Sequence, residues 1–313
     1  AAPGGAKYHL QPDLPRHGLY RPEDRLMPPT LLEDGSGLTF EYLPGTLDEA
    51  EFLYEEIFVR RSYLQHGVHV PERGSPLIVD AGANLGLFSL LALSINPRAR
   101  VLAVEPSPHT FPLLERNLFR AAHVRCVPAL LRERPGKHEL HCFGDAPAES
   151  TCHPRERAAQ RARLDAAVKR GAPSAAAAAA TAAAAAATST VAATAVRAVT
   201  LSSLLEELGV ERVDLLKVDC EGDELAVLRG ISARHWAAIR QVVAEVHDIN
   251  GRLDRVVALL RRHGFGGVIC EPLEGGQVEG YHMVVPPTLR LFYVFATRDG
   301  EGVERGVKRR RGS

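Results

Sequence analysis

The chain has 313 residues, 45% hydrophobic and 24% charged, and its 38 basic and 38 acidic side chains cancel to a formal net charge of zero. That length buries a sizeable core in one large or two small domains, and the neutral balance gives no electrostatic case for nucleic acid or an anionic membrane as partner. Five cysteines without a CxxC pair argue against a disulfide framework and a tetrahedral zinc site, so no metal is expected and a reducing compartment, cytoplasm or a plastid-like stroma, is.

Residues 1–45 are rich in Pro and Gly and read as an irregular lead-in. "DEAEFLYEEIFVRRSYL" (48–64) has helical apolar spacing with acids at its start. An apolar run of strand length follows at 76–82, then a buried helix at 87–95 that stops at Asn96-Pro97. A second strand is expected at 100–106, a helix at 109–121, a third strand at 123–131, and an edge or hairpin strand over the alternating residues 137–143.

The pattern breaks at 153–195, where six Lys/Arg and two acids lead into an alanine tract. Alanine favours helix but offers no large apolar face to bury, so this segment reads as a low-complexity insertion, disordered or loosely helical. Alternation resumes with a helix at 201–209, a strand at 213–219, a helix at 223–230, a strand at 240–247, a helix at 251–264 and a strand at 289–297. The fold class is therefore α/β, doubly wound, with a mainly parallel sheet covered by helices on both faces and an N-terminal extension. Residues 46–152 and 196–300 make one domain, and 301–313, with Lys308 to Arg311, a basic solvated tail. Outside the alanine tract no apolar run approaches the ~20 residues of a membrane span. The chain begins at Ala1 rather than Met, which leaves a removed leader or a longer parent open.

Three constellations carry chemistry. The first is the turn "LIVDAGANLGLFSL" (77–90), with Asp80, Gly82, Asn84 and Gly86 between a strand and a helix. Such turns hold ligands at the carboxyl edge of doubly wound sheets, and glycine lets the backbone approach closely. The Gly-x-Gly-x-x-Gly spacing of a dinucleotide site is absent. An acid here is poorly placed for phosphate and well placed for an ammonium or sulfonium. Glu105 ends the next strand, 23 residues after Gly82, where a carboxylate accepts from ribose hydroxyls. Together these suit S-adenosylmethionine better than NAD. A plain sheet-edge turn, an NAD-dependent oxidoreductase and a non-catalytic binding module are the competing readings.

The second is "LLKVDCEGDELAVLRG" (215–230). Helix capping accounts for some of Asp219, Glu221 and Glu224, but not for Lys217 and Asp219 on one strand face. The third is "VVAEVHD" (242–248), which puts Glu245 and His247 on one face. Histidine titrates near working pH, so His247 is the expected general base, with Glu245 or Asp219 orienting it; a surface histidine is the bland alternative.

With "VDAGANLGLFSL", "AVEPSPHTFPLLERNL", "VPALL", "VDLLKVDCEGDELAVLRG" and "VAEVH" in that order, the chain resembles the FkbM-type methyltransferases. The segment "EEIFVRRSYLQHGV" (55–68) looks like the stretch ahead of the turn in part of that family. The resemblance implies a Rossmann-like fold, S-adenosylmethionine as cofactor, and methyl transfer to a hydroxyl of a sugar or other small molecule. Asp80, Gly82, Asn84, Gly86 and Glu105 would hold the cofactor, and Asp219 would line the crevice to the acceptor. Neither the acceptor nor the oligomeric state is legible.

Overall fold

The computed structural model describes residues 30–33, 38–143, 147–160, 162, 191–273, 277–278, 281–282 and 290–298. The readings of 1–29, of most of the alanine tract and of the basic tail lie outside the described residues. In chain order the strands are β1 (Thr30–Glu33), β2 (Thr39–Tyr42), β3 (Leu77–Ala81), β4 (Arg100–Val104), β5 (Val124–Val127), β6 (Leu130–Leu131) and β7 (Gly136–Phe143). Then follow β8 (Val191–Val199), β9 (Leu215–Val218), β10 (Gln241–His247), β11 (Gly267–Pro272), β12 (Gln277–Val278), β13 (Tyr281–His282) and β14 (Leu291–Thr297).

Seven strands form the central sheet in the order β11-β14-β10-β9-β3-β4-β5. Neighbours run parallel from β10 to β5, while β14 is antiparallel to both β10 and β11. The strand runs are continuously apolar because both faces are covered, and all five residues of β3 are buried. Side chains alternate between two cores. Val79, Ala81, Leu102, Val104, Leu216 and Val218 pack with the helices Leu201–Glu207, Glu224–Arg229 and Arg252–Arg262. Ile78, Val101, Ala103 and Leu215 pack on the other face with the helices Leu87–Ile95 and Phe111–Leu118. This is the expected doubly wound architecture.

Several local expectations are corrected. The helix read over 48–64 is an α-helix only at Leu47–Tyr54; a π-helical turn at Glu55–Val59 follows, and the chain then leaves the helix. An extra residue per turn re-aims what comes next, and Tyr63 ends up buried. The strand read over 123–131 is two, because Pro128 has no N–H to continue a ladder, and Leu130–Leu131 pair with β8 instead. The lead-in read as irregular contains the antiparallel pair β1–β2, whose Phe40 and Tyr42 are buried. The 153–195 segment is helical at 154–160 and contributes 191–195 to β8, whose residues 191–198 pair with β7. Pairing with a strand about 50 residues earlier is a long-range event that composition does not encode. The short helix Ala233–Ala238 and strand β11 were not anticipated. Among the described residues, no helix is long and apolar enough to cross a membrane.

Candidate functional site

The registers build the site. Ala81 pairs with both Val104 and Val218, and Val218 pairs with Ala244. The residues one step further, Glu105, Gly82, Asp219 and Glu245, therefore form one row across the carboxyl edge of β4, β3, β9 and β10. With about 4.8 Å between strands, this row is roughly 14 Å long. It lies where a doubly wound sheet binds ligands. A cavity of about 290 Å3 is lined by all four of these residues, together with Asn84, Glu56, Tyr63, Arg157, Lys217, Glu221 and His247.

Gly82 has φ +74°, and a Cβ on it would lie 1.7 Å from the carbonyl oxygen of Asp219. Glycine is thus what lets β3 and β9 close at this point. Gly86 also has positive φ, but a Cβ there would meet Leu114 and Leu118; it closes a helix–helix contact and is not part of the cavity wall. Asp80 is likewise displaced from its expected role. It is fully buried behind the turn, where its Oδ2 accepts from Ser89 Oγ at 2.7 Å and its Oδ1 faces Lys217 Nζ at 3.3 Å. Lys217 also donates to the Gly82 carbonyl at 2.8 Å and stands 3.5 Å from Asp219. Burial works against its charge, but Asp80 and Asp219 override that and hold the ammonium protonated.

Glu105 is buried at the cavity wall. Its Oε1 accepts from Ser107 N and Thr110 Oγ1, and its Oε2 from Asn84 N at 2.9 Å. Burial pushes its carboxyl up from the usual range, against those hydrogen bonds. Asn84, with φ +47°, turns its side chain so that Oδ1 is buried without a hydrogen-bond partner among the described residues.

At the other end of the row, Tyr63 Oη lies 2.9 Å from Asp219 Oδ2 and 3.2 Å from Glu245 Oε2. Tyr293 donates to Glu56, which lines the same cavity. Burial, with Asp219 nearby, raises Glu56 to about 7. Burial also raises Asp219, and burial with the charges of Asp219 and Glu56 raises Glu245 well above the carboxylate range.

His247 does not present a free nitrogen. Its Nδ1 lies 3.0 Å from Glu224 Oε1 and its Nε2 3.2 Å from Glu221 Oε2. Burial favours the neutral ring, but the two carboxylates outweigh it and raise the pKa well above the ordinary value. An imidazolium with both N–H groups engaged has no lone pair for a proton, so the geometry opposes the expected role of His247 as base. Burial would raise Glu221 as well, yet Arg157 and His247 bring it down to about 2. Arg157, on the short helix 154–160, reaches Glu221 at 3.4 Å and Glu149 at 2.9 Å. Thr151 Oγ1 donates to the Glu221 carbonyl at 2.6 Å, and His153 Nε2 meets Asp223 at 2.9 Å.

Asp219 and Glu245 thus share the Tyr63 hydroxyl, and Glu105, Gly82 and Asn84 line the same cavity, while Asp80 and Gly86 stand behind it. Glu56, Tyr63 and Arg157 were missed. The first two sit in a stretch read as plain amphipathic helix, where only the acid within an apolar run gave a signal; Arg157 lay inside what read as low-complexity sequence.

A family profile described as "Methyltransferase FkbM domain" matches residues 80–266. The chain is 39% identical over 218 residues to the 31-O-demethyl-FK506 methyltransferase FkbM of Streptomyces tacrolimicus, covering 69% of this chain and 82% of that protein. It is 36% identical over 228 residues to methyltransferase sdnD of Sordaria araneosa, with the same two coverages. To methyltransferase 1 of Beauveria bassiana it is 30% identical over 259 residues, covering 82% of this chain and 93% of that one.

Proposed function

The chain belongs to the FkbM methyltransferase family, and on that footing we propose that it uses S-adenosylmethionine to methylate a hydroxyl of a small molecule or sugar. Membership in a methyltransferase family sets aside the NAD-dependent oxidoreductase. The observation that carries the proposal is the row Glu105–Gly82–Asp219–Glu245 lining one cavity. One end suits a nucleoside and the other an alcohol that must lose a proton. The name of the Streptomyces relative, a methyltransferase of a 31-O-demethyl compound, points to oxygen in the same direction.

The residues present fit the cofactor. A carboxylate accepts about four hydrogen bonds; Glu105 uses three within the protein, which leaves capacity for a ribose hydroxyl. Asn84 Oδ1 is a buried acceptor in want of a donor. Leu85, Val104, Pro106, Leu130 and Leu131 supply apolar wall for a flat base. When bound, S-adenosylmethionine supplies a methyl group on a sulfonium, whose departure needs no acid.

The protein's own task is then alignment, exclusion of water and removal of one proton. Alignment of reactants contributes about 7–11 kcal/mol where it is complete. Asp219 and Glu245 stand at the acceptor end, and with its pKa raised whichever of the two is ionised is a stronger base than an ordinary carboxylate. We assign them the proton, Oδ or Oε accepting it from the attacking hydroxyl. His247 fixes Glu221 and Glu224 and does not exchange the proton itself.

Calorimetric titration with S-adenosylmethionine, S-adenosylhomocysteine and NAD tests the reading, repeated on Glu105→Ala. Micromolar binding of the first two, lost in the variant, is expected. Binding of none by folded protein returns the chain to the non-catalytic binding module.

A further inference from the structure

The matched family domain begins at residue 80 and ends at 266, yet the acceptor end of the cavity is completed from outside it. Glu56 and Tyr63, which line it, come from the preceding segment, and Tyr293, which backs them from behind the wall, comes from β14. Tyr63 has one hydroxyl proton and two carboxylate oxygens within reach, at 2.9 and 3.2 Å. Both contacts are full hydrogen bonds only when a second proton is present, carried by Asp219 or Glu245 and donated back to Tyr63 Oη. The rings of Tyr63 and Tyr293 meet edge to face at 5.4 Å, and Tyr293 holds Glu56. Two buried carboxyls, Glu56 and Glu245, and the half-buried Asp219 are thereby gathered at one wall, with Lys217 the cation that touches Asp219 and is shared with Asp80.

We propose that Glu56, Asp219 and Glu245, gathered by Tyr63 and Tyr293, act as one proton-sharing acid unit that sets the charge beside the methyl donor and receives the acceptor's proton. This rests on the reading of the cavity as a methyl-donor site. Glu56 and Tyr63 are positioning residues in it: Glu56 repels negative charge on the other two, and Tyr63 stabilises it. The proton balance is simple. The acceptor O–H breaks, its oxygen forms the new bond to the methyl carbon while the bond from that carbon to the donor's sulfur would break and leave a neutral thioether, and the proton adds to one carboxylate oxygen of the unit.

Charged groups face the unit from every element packed against it. Beneath it on β3 and β9 are Asp80 and the protonated Lys217. Beside it, Glu221 is ionised and the imidazolium of His247, from β10, faces it with Glu224 behind. Arg157 caps Glu221 from the helix 154–160, and Arg60 sits near Glu56, held by Glu55. Tyr63 and Tyr293 stay protonated, their phenols raised further by burial. Glu105, from β4, is at the nucleoside end.

The test compares S-adenosylmethionine, cationic at sulfur, with S-adenosylhomocysteine, neutral there; Glu105 meets both alike and drops out of the ratio. Their relative affinities are measured by calorimetry between about pH 5.5 and 8.5. Preference for the cation is expected to rise with pH as the unit ionises. In Glu56→Gln the rise moves to lower pH, because one repelling carboxyl is gone; in Tyr63→Phe it moves to higher pH, because a donor to the carboxylates is gone. Shifts on the order of one pH unit in opposite directions are expected, and a merely structural role would not produce opposite signs. A pH-independent ratio in the native chain, or variants that bind both ligands with an unmoved rise, overturns the proposal. Absence of binding by the native chain at every pH overturns it too, by removing the methyl-donor reading beneath it. Should Glu56→Gln not fold, Tyr63→Phe alone decides by the sign of its shift.

Discussion

Gly82 and Asp219 approach so closely that a side chain on the first would lie 1.7 Å from the carbonyl oxygen of the second. The two residues end β3 and β9, the strands on either side of the point where the chain's winding reverses, and their closure keeps Glu105 and Glu245 in one row. The glycine is therefore a condition for the site rather than a ligand of it.

Gly82→Ala is expected to be severe, on the order of 4–5 kcal/mol, since it combines a backbone clash with a positive φ. Gly86→Ala is expected to cost about 1–3 kcal/mol, because its nearest obstacle, Leu114 Cδ1 at 2.8 Å, is a side-chain end that gives way. Urea unfolding midpoints of the two variants check the ranking; equal costs would contradict it.

Glu245→Gln and Asp219→Asn are expected to lower kcat by about 10²–10⁴-fold while leaving methyl-donor affinity within several-fold. Each keeps the shape and a hydrogen-bond acceptor for Tyr63 but is no longer a base. Full turnover by both variants on an accepted alcohol would take the proton from this pair.

His247→Leu leaves the buried Glu224 and the half-buried Glu221 beside an apolar group, and a loss of about 3–5 kcal/mol is expected. The folded pKa of His247 is raised, so its contribution is complete below about pH 6.5 and is lost as pH rises through the folded value. The stability gap between native chain and variant should therefore be widest in mild acid and narrow toward alkaline pH. A gap that widened with pH would mean the ring is neutral.

Glu221 gives the opposite limb. Its folded pKa is lowered to about 2 from 4.5, so the stability it contributes is present above about 4.5 and disappears as pH falls toward 2. Thermal unfolding of Glu221→Gln followed from pH 6 to about 2.5 should show a shallower acid loss than the native chain. Arg157→Met should reproduce part of that flattening, since Arg157 is the leading cause of the lowered value.

Local pattern made most of the sheet readable. The continuous apolar runs at β3, β4, β9 and β10 mark strands buried on both faces, and Gly82 and Glu105 announce themselves by standing at their ends. Where a strand depended on a distant partner, pattern failed: Leu130–Leu131 and 191–195 became strands only by pairing with each other's neighbourhood. Tyr63 was hidden for a related reason. The π-helical turn ahead of it changes its direction without changing the apolar periodicity enough to be seen.

What the sequence determined by itself is the chemistry available: a doubly wound sheet, a glycine turn without a phosphate signature, acids at four strand ends. These follow from local rules, since strand burial, turn geometry and residue type act over a few neighbours. Which acids carry which charge was decided only in three dimensions. Asp80 and His247 look from the sequence like a ligand and a base, and the fold gives them Lys217 and two glutamates as permanent partners. Asp219 and Glu245 look like assistants of His247, and the fold instead sets them on either side of one tyrosine hydroxyl, with Lys217 beside the first. Charge state depends on burial and on groups within a few ångströms, and those are set by strand order, which no stretch of the chain contains.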